Sequence, residues 1–202
     1  MAERWNAPTV SAGDMLRAEI AAGSDIGKEA ARHMDQGHLV PDDVALASVE
    51  SWLNAQQGSF VFDGFPRTVG QAKALDVLLV ARGTPLTAAL WLELSAELIA
   101  ERVSRRVVCR SCGRSFQVGL HVGRREGVCP VCGGELTVRG DDNNAMLTNR
   151  MKQYGEYTRP VMDYYEAGGL LRRIDANGAP EEVFARIEEA TAGEPQAKTV
   201  NR

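Results

Sequence analysis

The chain has 202 residues, 44% of them hydrophobic and 25% charged, with a formal net charge of -4. That length allows one domain, or one domain with a sizeable insert, and a chain of this size folds without needing disulfides. The acidic balance argues against a broad nucleic-acid-binding face, no run approaches the roughly 18 to 20 apolar residues of a membrane span, and Met1 to Val10 lacks a signal peptide's apolar stretch; a cytoplasmic address is expected.

Taken in chain order, Ser11-Ala-Gly-Asp14 has the form of a capping box and precedes a helix from Met15 to Ala22, closed by Gly23. Ser24 caps a second helix running to Gln36. Pro41 suits a first helical turn, and 41–56 places Val44, Leu46, Val49, Trp52 and Leu53 at roughly helical spacing. Phe60-Val61-Phe62 reads as a buried strand ending at Asp63-Gly64. Helix returns over Thr68 to Ala81, strand over Ala88 to Leu94, and helix over Ser95 to Arg106. The stretch 107–142 then holds all four cysteines and seven of the 20 glycines, without helical periodicity. Helix resumes near Asn143, bends near Pro160 and stops at Gly168-Gly169. A strand over Leu170 to Ile174 and a helix over Glu181 to Ala190 follow, and Ala192 to Arg202 reads as a loose tail. Strands separated by helices imply an α/β domain with a mostly parallel sheet, interrupted by the cysteine-bearing insert.

Cys109-x2-Cys112 and Cys129-x2-Cys132 form two knuckles separated by 16 residues. That spacing lets four thiolates meet around one zinc ion at about 2.3 Å, with Gly113 and Gly133 supplying the tight turns. Two disulfides or four free thiols are the alternatives, the former uncommon in a cytosolic chain. With every ligand position filled by protein, the metal holds the insert together rather than performing chemistry. A ribbon of this kind also serves as a nucleic-acid or protein-binding module, and Arg105, Arg106, Arg110, Arg114, Arg124 and Arg125 surround it. Against that use, Phe116 is the only aromatic residue between 105 and 142.

Asp63-Gly64-Phe65-Pro66-Arg67 follows directly on a buried strand, where open α/β sheets bind ligands. Gly64 allows close backbone approach, Pro66 stiffens the turn, and the Arg67 guanidinium matches a phosphate. Arg17, Arg102, Arg106, Arg139 and Arg150 add to this; Arg102 and Arg106 share one helix face. In a net acidic chain the set points to a small polyanionic ligand.

Ser11-Ala-Gly-Asp-Met-Leu-Arg17, Asp63-Gly-Phe-Pro-Arg-Thr68, Gln71, Arg106-x-x-Cys109 leading into four cysteines, Arg139-Gly-Asp-Asp142, Arg150, Thr158-x-Pro160 and Tyr164-Tyr165 occur in that order. Together they resemble the long, zinc-bearing form of bacterial adenylate kinase, from about residue 2 to 190. The resemblance implies a P-loop NTPase-like α/β fold, a three-layer parallel sheet with helices on both faces. It implies a core of 1–10, 41–104 and 143–202, an AMP-binding flap at 11–40 and a zinc-ribbon lid at 105–142. It also implies ATP + AMP ⇌ 2 ADP, purine nucleotide homeostasis, structural Zn²⁺, Mg²⁺ with ATP, and a monomer whose partners are ATP, AMP and ADP, with neither nucleic acid nor membrane.

The same resemblance assigns residues. Ala12, Arg17, His38, Leu39, Val40, Gly64, Phe65, Pro66, Arg67 and Gln71 match the AMP site, Arg17 and Arg67 holding the phosphate and Gln71 reading the adenine edge. Arg102, Arg106, Ser115, Phe116 and Gly178 match ATP positions. Arg139 and Arg150 belong to the AMP set as well and close on the phosphates from the lid side. Arg67, Arg106, Arg139, Arg150 and Asp63 form the catalytic set, with Asp63 holding Mg²⁺ through its water shell.

Three departures stand out. The family's threonine is Ala12 here, a common lysine is His38, and the family's opening strand and G-x-x-x-x-G-K-[ST] phosphate loop have no counterpart. Gly23-Ser-Asp-Ile-Gly27-Lys28 comes nearest, but its glycines are four apart, no Ser or Thr follows, and it lies between two predicted helices. Met1 to Trp5 resembles the end of the helix that follows that loop. The expectation is therefore a sequence beginning about 20 residues late, with the first, central strand missing and its two neighbours left unpaired about 10 Å apart. Such a chain would be weakly active or inactive. Alternative readings are a kinase for another nucleoside monophosphate, and a non-catalytic AMP-binding or zinc-ribbon interaction protein.

Overall fold

A computed structural model describes Trp5 and residues 7–119, 127–138 and 144–192; for 144–147 and 150 it describes the backbone alone. The chain forms two compact units. Residues through Glu93 and from Asn149 onward make the first, and Leu94–Thr148 the second. Residues 11–40 fall within the first unit and 105–142 within the second.

In the first unit β1 (Thr9–Ser11) leads into α1 (Ala12–Ala22), α2 (Asp25–Met34) and α3 (Asp42–Asn54). After β2 (Val61–Asp63), α4 (Val69–Ala81) and β3 (Ala89–Glu93) comes the second unit. Its elements are α5 (Ala96–Ser104) and the strands β4 (Arg106–Cys109), β5 (Ser115–Gln117) and β6 (Leu136–Val138). Helix α6 (Asn144–Gln153) runs from the second unit into the first. A π-helical turn (Tyr154–Thr158), α7 (Arg159–Ala167), β7 (Leu171–Asp175) and α8 (Pro180–Ala190) complete the described chain. The expected bend near Pro160 is this π turn, a common cause of helix distortion. The ends of the chain that were read as a helix remnant (Met1 to Trp5) and a loose tail (Ala192 to Arg202) lie outside the described residues, apart from Trp5 and Ala192.

Among the described residues the parallel strands form two separate pairs. Strand β1 lies beside β2 with Ser11 opposite Asp63, and β3 lies beside β7 with Leu92 opposite Ile174. Strand β1 itself was not anticipated: three residues are too short to show an alternating pattern. It also displaces the expected capping box. Ser11 ends the strand and makes no side-chain cap, while Asp14 pairs with Arg17. By contrast, Ser24 caps as read, its hydroxyl accepting from the backbone N–H of Gly27, and Thr68, expected inside its helix, proves to be the cap, accepting from the Gln71 N–H.

The apolar core of the first unit gathers Ala12 and Met15 of α1, Ala45, Val49 and Leu53 of α3, and Leu75 and Leu79 of α4 around Phe65. An aromatic chain runs into it: Trp52 meets Phe60 and Phe62 at ring separations of 5.8 and 5.7 Å, and Phe62 meets Phe65 at 5.8 Å. A second cluster joins Leu16 of α1, Ala30 of α2 and Val40. Gly27 has a plain packing role here, because a Cβ would lie 2.1 Å from the Glu19 carbonyl oxygen of α1. This close crossing, rather than phosphate binding, accounts for the glycine. Helix α4 is pinned to α7 by the Asp76 carboxylate, which accepts from the Tyr164 hydroxyl at 2.8 Å and the Tyr165 hydroxyl at 3.4 Å.

The second unit is a three-stranded antiparallel sheet in the order β5-β4-β6, preceded by α5. Val107 on the central strand faces Phe116 on one side and Val138 on the other.

Candidate functional site

Two turns leave the carboxyl ends of neighbouring parallel strands in the first unit. Strand β1 passes directly into the first turn of α1, and β2 passes into Asp63-Gly64-Phe65-Pro66-Arg67. With Ser11 opposite Asp63, the ladder sets these turns side by side, the position where parallel α/β sheets bind ligands. Phe65 is the anchor of the second turn. Its ring is buried in the core while Asp63, Gly64 and Arg67 stay exposed. Gly64 adopts φ 69°, and a Cβ there would come 3.0 Å from the Arg67 guanidinium. A side chain at 64 is therefore strained on both counts.

Arg67 is held at three points. Its Nε donates to the Gly64 carbonyl at 2.8 Å, its backbone N–H donates to Gln71 Oε1 at 2.8 Å, and its carbonyl accepts from the Thr158 hydroxyl at 3.0 Å. Gln71, only 3% exposed, in turn donates from Nε2 to Asp42 Oδ1 at 2.9 Å. The other Asp42 oxygen accepts from the Thr68 hydroxyl at 2.8 Å. Asp42 opens α3 two residues after Val40, so this network ties the 38–40 stretch to the Arg67 turn. Neither Asp42 nor Thr158 carried a role in the sequence reading. Their partners lie 26 to 91 residues away in the chain, beyond any local pattern.

Of the other expected AMP residues, Ala12 is buried in the same core cluster as Phe65, and Pro66 and Leu39 are half-buried. Val40 is buried between α1 and α2, and His38 is exposed with its backbone N–H on the His33 carbonyl at 3.0 Å. Arg17 lies on α1 beside Asp14.

In the second unit the β4–β5 pairing brings together residues that the sequence holds apart. Arg102 of α5, Arg106 of β4, and Ser115 and Phe116 of β5 line one cleft of about 240 Å³, with Val103 and Gln117 completing it. Two arginines and a phenylalanine lining one largely apolar cleft suit a planar, anionic ligand. Four of the five expected ATP residues meet here. The fifth, Gly178, lies in the first unit at φ 113°, in a loop braced by Arg186, whose guanidinium donates to the Asp175 and Asn177 carbonyls. Arg139 lies outside the described residues, as does the side chain of Arg150. A wider groove of about 660 Å³ between α3 and α4, walled by Leu46, Ala74, Val77 and Leu78, contains none of the expected site residues.

The four cysteine sulfurs all lie within 4.8 Å of one another. Cys109 and Cys132 Sγ are 3.4 Å apart, and Cys112 and Cys129 Sγ 3.7 Å. Four sulfurs at about 2.3 Å from a tetrahedral metal stand about 3.8 Å apart, so the cluster fits a closed four-thiolate site. Each knuckle closes by a turn, the Gly113 N–H on the Cys109 carbonyl and the Gly133 N–H on the Cys129 carbonyl, with both glycines near φ 70°. The backbone N–H of Cys112 lowers the Cys109 thiol to about 6. Cys132 receives a similar pull from the Gly134 N–H, yet the neighbouring thiols of Cys109, Cys112 and Cys129 push it up to about 12. Cys109 forms a thiolate readily and Cys132 then resists ionisation, a conflict that a divalent cation relieves.

Comparison with known proteins shows the family of the chain. The adenylate kinase family model matches residues 1–170. The chain is 40% identical over 189 residues to an adenylate kinase of Thermodesulfovibrio yellowstonii, covering 93% of this chain and 88% of the relative. Its identity to an adenylate kinase of Carboxydothermus hydrogenoformans is 42% over 183 residues (90% and 86% of the two chains). For one of Streptomyces griseus it is 40% over 193 residues (94% and 88%). The chain belongs to the adenylate kinase family. Adenylate kinases are phosphotransferases, and the four-cysteine insert fits the family's long, metal-bearing form. No helix among the described residues is long and apolar enough to cross a membrane.

Proposed function

We propose that the chain is an adenylate kinase by chemistry as well as by family, acting on ATP and AMP in the cytoplasm as a monomer. The observation that carries this reading is the Asp63–Arg67 turn beside the start of α1, with Arg67 fixed at its N–H, its carbonyl and its Nε. Phosphoryl transfer asks a protein mainly to position and neutralise phosphates. A guanidinium already held in place loses little freedom when an AMP phosphate arrives, and each charged hydrogen bond it makes contributes about 1.5 to 3 kcal/mol. Arg17 adds a second guanidinium from α1, and Gln71 offers an amide to the adenine edge.

The cleft of Arg102, Arg106, Ser115 and Phe116 takes ATP in this reading, with Phe116 against the base and the arginines against phosphate. Gly178, Arg139 and Arg150 complete the nucleotide contacts that the family resemblance implies. Asp63, an exposed carboxylate at the end of β2, offers the hard oxygen that Mg²⁺ prefers and would hold it through water. Magnesium supplies charge neutralisation on the transferring phosphates. The metal of the four cysteines is zinc in this reading: an all-sulfur, near-tetrahedral donor set selects it over the hard cations, and a site with no open position makes it structural.

The 202 residues contain no G-x-x-x-x-G-K-[ST] string. The backbone N–H cradle and lysine that such a loop gives the β- and γ-phosphates are thus not supplied by these residues. This favours a second statement about the polypeptide taken by itself: it binds AMP while transferring phosphoryl groups only in trace. Calorimetric titration with AMP, GMP and UMP, paired with an ADP-formation assay under Mg·ATP and AMP, tests both statements. AMP is expected to bind most tightly, with turnover far below roughly 1 per second. Tighter binding of GMP or UMP contradicts the AMP assignment, and turnover at or above that rate contradicts the trace activity.

A further inference from the structure

The Gln71 amide has a fixed orientation, and Asp42 fixes one end of it. Oε1 accepts from the Arg67 backbone N–H, and Nε2 donates to Asp42 Oδ1. Turning the amide over would set an NH₂ against that N–H and an oxygen against a carboxylate, two repulsive contacts. As oriented, and among the described residues, the amide retains one N–H and one oxygen lone pair. Adenine presents a ring-nitrogen acceptor beside an amino donor, the complement of that pair. Hypoxanthine presents the reverse, a ring N–H donor beside a carbonyl acceptor.

Asp42 is itself held in place. Its second carboxylate oxygen accepts from the Thr68 hydroxyl at 2.8 Å. Helix α4 approaches so closely that a Cβ on Gly70 would lie 2.6 Å from that oxygen. The carboxylate also sits in the first turn of α3, where the helix dipole favours a negative charge. It therefore faces Gln71 with little freedom to turn away.

We propose that Asp42 is a positioning residue for base specificity: its carboxylate holds the Gln71 amide in the sense that accepts adenine and rejects hypoxanthine. The proposal rests on the reading of Gln71 as the group that meets the base.

Asp42→Asn tests it, because asparagine keeps the size of the side chain and can present either an acceptor or a donor to Gln71. AMP and IMP are titrated calorimetrically against the full chain and the variant, with a thermal melt of each to establish folding. The expected result is an AMP affinity about tenfold lower, the loss of one charged hydrogen bond, and a fall of at least fivefold in the AMP:IMP affinity ratio. In a Gln71→Leu background, Asp42→Asn is expected to leave that ratio unchanged, since the amide it acts through is gone. A folded Asp42→Asn protein with the wild-type ratio overturns the proposal and leaves Asp42 a structural residue. So does an equal change of ratio with Gln71 absent. Should Asp42→Asn not fold, Thr68→Val loosens the same carboxylate and is read identically, about twofold being expected and no change overturning. A wild-type chain that binds AMP no better than IMP would fail at an earlier step, overturning the Gln71 reading and the proposal together.

Discussion

In the first unit Val49, Leu53, Leu75 and Leu79 are sealed from solvent in one apolar cluster; in the second, the only side chains so buried among the described residues are Cys109 and Cys129. The valines around those cysteines are largely outside, with Val128 and Val131 half-exposed and Val138 at 73%. Helix α5 buries no residue at all. One unit thus takes its stability from area removed from water, and the other has too little such area to do the same. In the second unit the four cysteines form a cluster that could hold a metal ion, and under the proposed reading that metal takes the place of a core, as it does in other small modules. The difference also sorts the functional groups. The Arg67 turn is positioned by a buried phenylalanine and a hydrogen-bond network, whereas the Arg102–Phe116 cleft is built on the β4–β5 hairpin that carries the first cysteine knuckle.

The sharpest way to break this contrast is to remove the metal. Chelation, or Cys129→Ser, is expected to cost the second unit most of its folding free energy, for which the roughly 10 to 16 kcal/mol of structural zinc sites is the ceiling. Hydrogen exchange should then show the β4, β5 and β6 amides unprotected while those of β2 and α4 stay slow. Retained protection in β4–β6 would mean that the second unit has a core of its own.

The converse change acts on the first unit. Leu75→Ala, at a position 1% exposed, should lower the stability of that unit by about 2 to 5 kcal/mol in a denaturant melt. It should leave metal affinity within about twofold, a change worth less than about 0.5 kcal/mol. A matching loss of metal affinity would show the two units to be one cooperative structure.

A smaller effect concerns pH. The hydrogen bond to Asp76 raises the Tyr164 hydroxyl, and burial raises that of Tyr165 further. Folding therefore favours their neutral forms: the stabilisation is whole below the unfolded tyrosine value near 10 and is lost as pH climbs above it. Melts between about pH 8 and 11 should show the first unit weakening above about pH 10, with Tyr165→Phe flattening the decline. An unchanged slope in that variant would remove Tyr165 from the account.

The same contrast explains what the sequence made legible. Helices α3 and α4 are long enough for apolar spacing to show, and the cysteine knuckles declare themselves by interval alone. Strand β1 did not show, because three residues carry no periodicity and their ladder partner among the described residues lies some 50 residues away. Ser11 misled for a related reason: its capping pattern was present, but the residue was already committed to the strand. The turn of Arg67 was visible as a motif, since Gly64 and Pro66 mark it locally. Asp42 was not, because an aspartate at the start of a helix looks like an ordinary dipole partner until Gln71 and Thr68 are seen to converge on it.

The most direct test of the functional account is a calorimetric comparison of AMP and adenosine binding to the wild-type chain and to Arg67→Ala. A guanidinium that holds the phosphate predicts AMP weakened by ten- to a hundredfold, on the order of one or two charged hydrogen bonds, with adenosine affinity unchanged. Equal weakening of both ligands, or of neither, would contradict it.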